Sequence, residues 1–350
     1  MSSSQSSSSR FLLACFMFHV SCFMSLSAKP KEDEVDKAIE RGLEYLLQSQ
    51  RPDGSFGNGQ PCAMPALAGM ACLAKGHVPG DKKYGKIIDR ALDFILSHHD
   101  ETGYFGKEGN GKMYSHAIST LFLTEVSGMV SKERQAQIDE WLPKALKVIV
   151  DAQRVKKNPP HYGGWRYEPN SSDSDLSCSG WNLMAIRSAR LNGAQIPDIV
   201  IKRAIKYMHA HHCKQNGGFG YQGGGGQNAS TLTGAGMLCL ELCGSHEDPD
   251  TLEGAKYLMG CYKEELPKAG YMYYGLYYAS QGLFQLGGPN WTEFEDWMYS
   301  NYLPMQKADG SWPHHGSEQS PVYATAMTIL AFSVPYRQLP VYQRDETVDE

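Results

Sequence analysis

Gln50-Arg51-Pro52-Asp53-Gly54-Ser55-Phe56 returns near the other end of the chain as Gln306-Lys307-Ala308-Asp309-Gly310-Ser311-Trp312. Related phrases lie between them. They are Thr102-Gly103-Tyr104-Phe105, Gln153 with a longer lead to Gly163-Gly164-Trp165, Asn216-Gly217-Gly218-Phe219, and a degenerate Lys268-Ala269-Gly270-Tyr271. Six phrases between Gly54 and Gly310 recur every 51 residues or so, about the size of one stacked supersecondary unit. Asp, Asn or Thr before Gly sets a tight turn, because Gly accepts positive φ and the preceding side chain bonds the turn backbone. The following aromatic residue is placed to plug the seam between units, and the leading Gln to close the loop's hydrogen bonds.

The segments around the turns are helical and of two kinds. Those before a turn are amphipathic and charged, as at 34–48, 86–97, 131–152 and 198–211, where Val35, Ile39, Leu43, Leu46 and Leu47 follow helical spacing. Those after a turn are almost uncharged: 62–74, 114–124, 178–186, 229–240, 271–286 and 322–333. A helix that is apolar or small on every side is buried on every side. Six such helices alternating with amphipathic ones predict an all-α (α/α)6 barrel, an inner ring wrapped by an outer one. An open helical solenoid is the alternative, but it needs polar end caps that this sequence lacks.

Composition sets the outer limits. The chain has 350 residues, and Lys plus Arg is 33 against Asp plus Glu 38, a formal charge of −5. No basic excess is available to displace counterions from phosphate, so nucleic acid is not an expected partner. Residues 1–28 read as a signal peptide: Arg10 is the only charge, Phe11–Leu26 is mostly apolar, and Ser25-Leu26-Ser27-Ala28 supplies small residues for cleavage. The run is shorter than the roughly 20 residues that span a bilayer, so no transmembrane anchor is expected after cleavage. The chain is therefore read as exported, secreted or periplasmic, with one barrel over 29–335 and a C-terminal tail over 336–350. Of nine cysteines, Cys15 and Cys22 leave with the signal, and an odd number remains. Cys62, Cys72, Cys178, Cys239 and Cys243 sit in apolar runs, where cysteine acts as a small buried hydrophobe.

The six phrases resemble the prenyltransferase and squalene-cyclase (terpenoid cyclase) repeat family over roughly residues 33–335, and that family's fold is this barrel. Further stretches resemble its secreted bacterial single-barrel branch. They are Gly163-Gly164-Trp165-Arg166-Tyr167 through Asp173-Ser174-Asp175 to Gly180-Trp181, Tyr273-Tyr274-Gly275-Leu276-Tyr277-Tyr278, and Val322-Tyr323-Ala324-Thr325-Ala326-Met327 leading to Leu339-Pro340-Val341-Tyr342-Gln343-Arg344. The resemblance implies two chemistries. Class II terpenoid cyclases open an inner helix with a DxDD acid motif; here the stretch reads Asp173-Ser174-Asp175-Leu176, so Asp173 and Asp175 are the candidate acids and the last carboxylate is missing. Protein prenyltransferase β subunits hold zinc with Asp, Cys and His. Asp175 matches the Asp, but Ser177 falls at the Cys and Ala324 at the His, so neither metal nor cofactor is expected.

Other candidates follow from residue type. Asp173 and Asp175 precede an uncharged helix, where an Asp also serves as a cap. Tyr274, Tyr277, Tyr278 and Gln281 form one helical stripe, and Trp165, Tyr167, Trp181, Trp312 and Tyr323 are placed to complete an aromatic lining that can stabilise a cation or stack on a ring. Such a stripe also serves as core. His116, on an inner helix, is a further pocket candidate. His98-His99 and His209-Ala210-His211-His212 fall at outer-helix C-termini, where histidine suits the dipole. The expected ligand is an isoprenoid or other apolar small molecule, with acid-initiated cyclase-type chemistry. A non-catalytic binding or scaffold module is one alternative. A glycan-acting (α/α)6 enzyme is another, and it requires paired acids facing each other across the cavity.

Overall fold

Helices alternate in burial along the chain in a computed structural model that describes residues 29–57, 61–107, 111–245, 247–318 and 320–342. The outer helices are α1 (Lys29–Ser49), α3 (Gly85–Ser97), α5 (Lys132–Arg154), α7 (Asp198–His211), α9 (Pro249–Glu265) and α11 (Gly288–Tyr302). The inner ones are α2 (Ala63–Ala74), α4 (Lys112–Val126), α6 (Leu176–Leu191), α8 (Ala229–Leu242), α10 (Met272–Leu286) and α12 (Pro321–Phe332). Each inner helix packs on the next, and α12 returns to α2, so the ring is closed and the fold is the (α/α)6 barrel. The uncharged segments occupy the inner ring because they have no polar face to offer water; in α8, every residue from Thr231 to Leu242 is buried. Small residues set the spacing. A Cβ on Gly234 of α8 would lie 2.4 Å from the backbone of Tyr278 and Ala279, so these two inner helices touch main chain to main chain.

The turn phrases are the joints of the ring. Gln50 Nε2 donates to Gly54 O (3.2 Å) within its own turn and to Ile87 O (3.1 Å) in the next outer helix. Gln153 Nε2 donates in the same way to Gly163 O and Val200 O, both at 2.9 Å. Gln306 Nε2 donates to Gly310 O (2.9 Å) and to Ala38 O (2.7 Å) in α1. The sixth turn is thus tied to the first helix by the device that ties the other two to their successors. Asp309 Oδ1 accepts from the Ser311 amide (3.0 Å) and hydroxyl (2.7 Å). Gly310, at φ 88°, turns toward α1, where a Cβ would meet Arg41 O at 2.2 Å.

The opposite end is sealed by the chain's own C-terminal segment. Leu339, Val341 and Tyr342 are buried. Val341 N donates to both Glu125 oxygens (3.1 and 3.3 Å) at the end of α4, and Gln285 Nε2 donates to Tyr342 O (2.7 Å). The sequence reading places this segment in a tail beyond residue 335; the structure folds it back as far as 342, because its apolar side chains cover the otherwise open C-terminal ends of the inner helices. The signal-peptide reading and the cysteines Cys15 and Cys22 lie outside the described residues. Among the described residues no helix is long and apolar enough to cross a membrane.

Candidate active site

The turns deliver all six inner-helix N-termini to one end of the barrel, and there they surround a cavity of about 900 Å³. Its wall takes Met64 from α2, Tyr114 and Ile118 from α4, Ser177 and Trp181 from α6, Thr231 and Leu232 from α8, Tyr274 from α10 and Tyr323 from α12. Phe56, Tyr167, Tyr221 and Tyr271 come from the loops between helices. The volume suits a drug-sized or lipid-like molecule. Of the aromatic residues expected from sequence, the cavity brings together Tyr167, Trp181, Tyr274 and Tyr323.

Tyr277, Tyr278 and Gln281 continue the stripe below, buried in the barrel core. Tyr277 stacks on Trp181 at 5.5 Å and 10°, and Tyr278 meets the same indole edge-on at 5.5 Å, so they support the cavity wall from behind. Trp165 and Trp312 are not among the lining residues. They are wholly buried between the two rings, with indole N–H groups donating to Ile149 O and Tyr302 O, each at 2.7 Å. These are the seam plugs that the turn phrases predict. His116 is also elsewhere. Its Nδ1 accepts from Phe105 N (3.2 Å) while Nε2–H donates to Ala145 O (3.0 Å), which fixes a neutral tautomer bridging α4 to α5. Burial holds its pKa at about 4.

Neither aspartate lines the cavity. Asp173 is half-buried, 3.4 Å from Arg166 Nε. Asp175 is wholly buried and caps α6: Oδ1 accepts from Cys178 N (2.8 Å) and from the Ser177 hydroxyl (2.6 Å), and Oδ2 faces Arg166 Nη1 at 3.1 Å. Burial raises its pKa, and the contacts from Ser177, Cys178 N and Arg166 oppose that rise. Asp175 is nevertheless connected to the cavity. The Ser177 hydroxyl that donates to it is also hydrogen-bonded to the Tyr114 phenol, and both line the wall. Arg166 Nη1 also donates to Tyr221 OH (3.1 Å), and its guanidinium lies 4.3 Å over the Tyr167 ring, so this side of the mouth is one polar network.

Sequence reasoning missed Glu318, the one carboxylate among the described lining residues. Its side chain crosses from the loop before α12 to the start of α10, where Oε2 accepts from Tyr273 N and Oε1 from Tyr274 N, both at 2.8 Å. Burial pushes its pKa up to about 7 despite those amides. No local signal marks this residue, because its partners lie 44 and 45 positions away.

Among the described residues one group has the spacing to hold a metal ion: His209, Asp248 and Asp250, on the outer wall between α7 and α9. His209 Nδ1 lies 2.7 Å from Asp250, and His212 Nδ1 and Nε2 lie 3.2 and 3.3 Å from Asp250 and Glu253. The group reads as an ion-pair clasp between two outer helices, and none of its residues is among the cavity lining. The other outer-wall histidines serve helix ends: His98 and His211 Nδ1 pair with Phe94 O (2.7 Å) and Tyr207 O (2.9 Å).

No family model matches the chain. A lanosterol synthase of Aspergillus fumigatus is 27% identical over 157 residues, covering 42% of this chain and 19% of the synthase. The chain thus matches about a fifth of that relative's length. Among solved structures, the type II terpene cyclase MstE from Scytonema superposes with a TM-score of 0.56 at 13% identity, covering 89% of this chain and 100% of the cyclase. A variant of it holding geranylgeranyl dihydroxybenzoate, described as its substrate, gives 0.58 at 12%, covering 87% and 98%. The α-1,6-mannanase GH76A of Salegentibacter sp. HEL1_6 gives 0.62 at 10%, covering 85% and 98%. The protein has the (α/α)6 toroid fold of these structures. Its sequence likeness over those 157 residues is to the lanosterol synthase, while the fold is shared equally with the mannanase.

Proposed function

We propose that the protein binds an isoprenoid or similarly lipid-like molecule in the aromatic cavity at the N-terminal mouth of the barrel, and that it acts as an exported protein. The observation that carries the first part is the lining itself: a deep wall of Trp181, Tyr114, Tyr274, Tyr323, Ile118 and Leu232, which removes apolar surface from water and offers ring faces to it. The lanosterol synthase match and the substrate-bound cyclase support the same class of ligand. Glycoside hydrolysis is less well served, since it uses two carboxyl groups flanking the bond and the described lining holds only Glu318. For acid chemistry, Asp175 is the candidate source of a proton, through Ser177 and Tyr114 to the cavity surface. Burial works against alkene protonation there, because a carboxyl whose pKa is raised gives up its proton less readily. Ligand binding is therefore the primary reading and cyclisation the secondary one.

Fluorescence titration with geranylgeraniol and squalene tests it, with Trp181 as the reporter inside the site. Saturable quenching that disappears in Trp181→Phe is the expected result. Absence of saturable binding by either compound to folded protein would overturn the proposal.

A further inference from the structure

The charges around the cavity select the polar end of its ligand. Glu318 and Lys112 are the only charged residues in the described lining, and they are not equivalent. The Lys112 ammonium is ion-paired with Glu168 at the rim. Glu318 is 94% removed from solvent, and its carboxylate accepts the backbone N–H groups of Tyr273, Tyr274 and Met272, which leaves capacity for one further donor. A shallower groove of about 400 Å³ adjoins the cavity and shares Asn228, Thr231 and Tyr271 with it. Its charges are Glu264, Glu265 and Lys268, and Lys268 Nζ lies 3.3 Å from Glu264. Every described cation on this surface thus has a carboxylate partner. A diphosphate or carboxylate end group would enter a low-dielectric site beside a carboxylate, with no uncommitted cation among the described lining residues to receive it.

We infer that Glu318 determines specificity: the ligand ends in a hydrogen-bond donor, an alcohol or amine, that is held by Glu318, and anionic end groups are rejected. The inference rests on the apolar-ligand reading above and adds the chemistry of the ligand's polar end. Glu318 accepts the O–H or N–H of the end group while the chain lies along Trp181 and Tyr114. The adjoining groove gives a larger end group an exit past Tyr271.

Three probes with one chain and different ends test this by calorimetry on the full chain at pH 8.5, where Glu318 is ionised: geranylgeraniol, geranylgeranylamine and geranylgeranyl diphosphate. The alcohol and amine should bind about tenfold or more tightly than the diphosphate. Glu318→Gln, which removes the negative charge while keeping one acceptor, should bring the diphosphate within about threefold of the alcohol. A purely structural cap would lower stability without moving this ratio. Equal binding of all three probes by the wild-type protein, or preference for the diphosphate, overturns the inference and leaves the apolar-ligand reading standing. An unchanged ratio in folded Glu318→Gln removes Glu318 from the role. If no probe binds, both readings fall together. The wild-type comparison decides the matter even where the variant does not fold.

Discussion

Glu125 gives the most exacting test of how this barrel is held shut. It lies wholly buried at the end of α4, and burial lifts its pKa from 4.5 to about 7 although Val341 N and the Ser188 hydroxyl donate to it. The folded state therefore holds a proton that the unfolded chain has already lost. Between those two values, folding takes up protons, so stability falls as pH rises; the loss begins near 4.5 and is complete above about 7. At about 1.4 kcal/mol per pKa unit, the ionised carboxylate costs about 3 kcal/mol at pH 8. Glu125→Gln removes that titration. It also gives up part of the paired acceptor for Val341 N, a fixed cost of about 1 kcal/mol. Urea denaturation of both proteins at several pH values between 5 and 8 isolates the effect, because Glu318, His116 and His211 titrate alike in each. The variant should be slightly less stable near pH 5 and more stable by about 2 kcal/mol at pH 8. Parallel pH profiles would refute the reasoning and show that water or a counter-charge reaches this end of the barrel.

Two further predictions concern the joints. Gly310→Ala forces a side chain into a left-handed turn with its Cβ 2.2 Å from Arg41 O, so it should cost about 2 kcal/mol or more in a denaturant series. Trp165→Phe deletes the N–H that satisfies Ile149 O and leaves a void between the rings. It should lose about 2 to 4 kcal/mol in the same assay yet leave geranylgeraniol affinity unchanged, since Trp165 is not part of the lining. A loss of affinity at full stability would move Trp165 into the site.

The alternation of charged and uncharged helices, the six turns and the closure of the ring follow from local patterns: a side chain's hydropathy at helical spacing, and Asp or Asn before Gly. These depend on neighbours a few residues away, so a sequence displays them directly. The aromatic candidates show where that legibility ends. Helical spacing places Tyr274, Tyr277 and Tyr278 on one stripe, but only depth along the barrel axis separates Tyr274 at the cavity from Tyr277 and Tyr278 in the core beneath it. Trp165 and Trp312 resemble pocket residues in composition and are seam plugs by position. The acids divide in the same way. Asp175 announces itself beside a helix start and caps that helix, whereas Glu318 carries no mark and reaches the cavity because a loop near one end of the chain meets a helix start 44 residues earlier. Periodicity and turn chemistry thus determined the barrel. Which carboxyl faces the ligand, and how the C-terminal segment seals the far end, were decided only when distant parts of the chain packed together, because burial and hydrogen-bond partnership are properties of the space between elements.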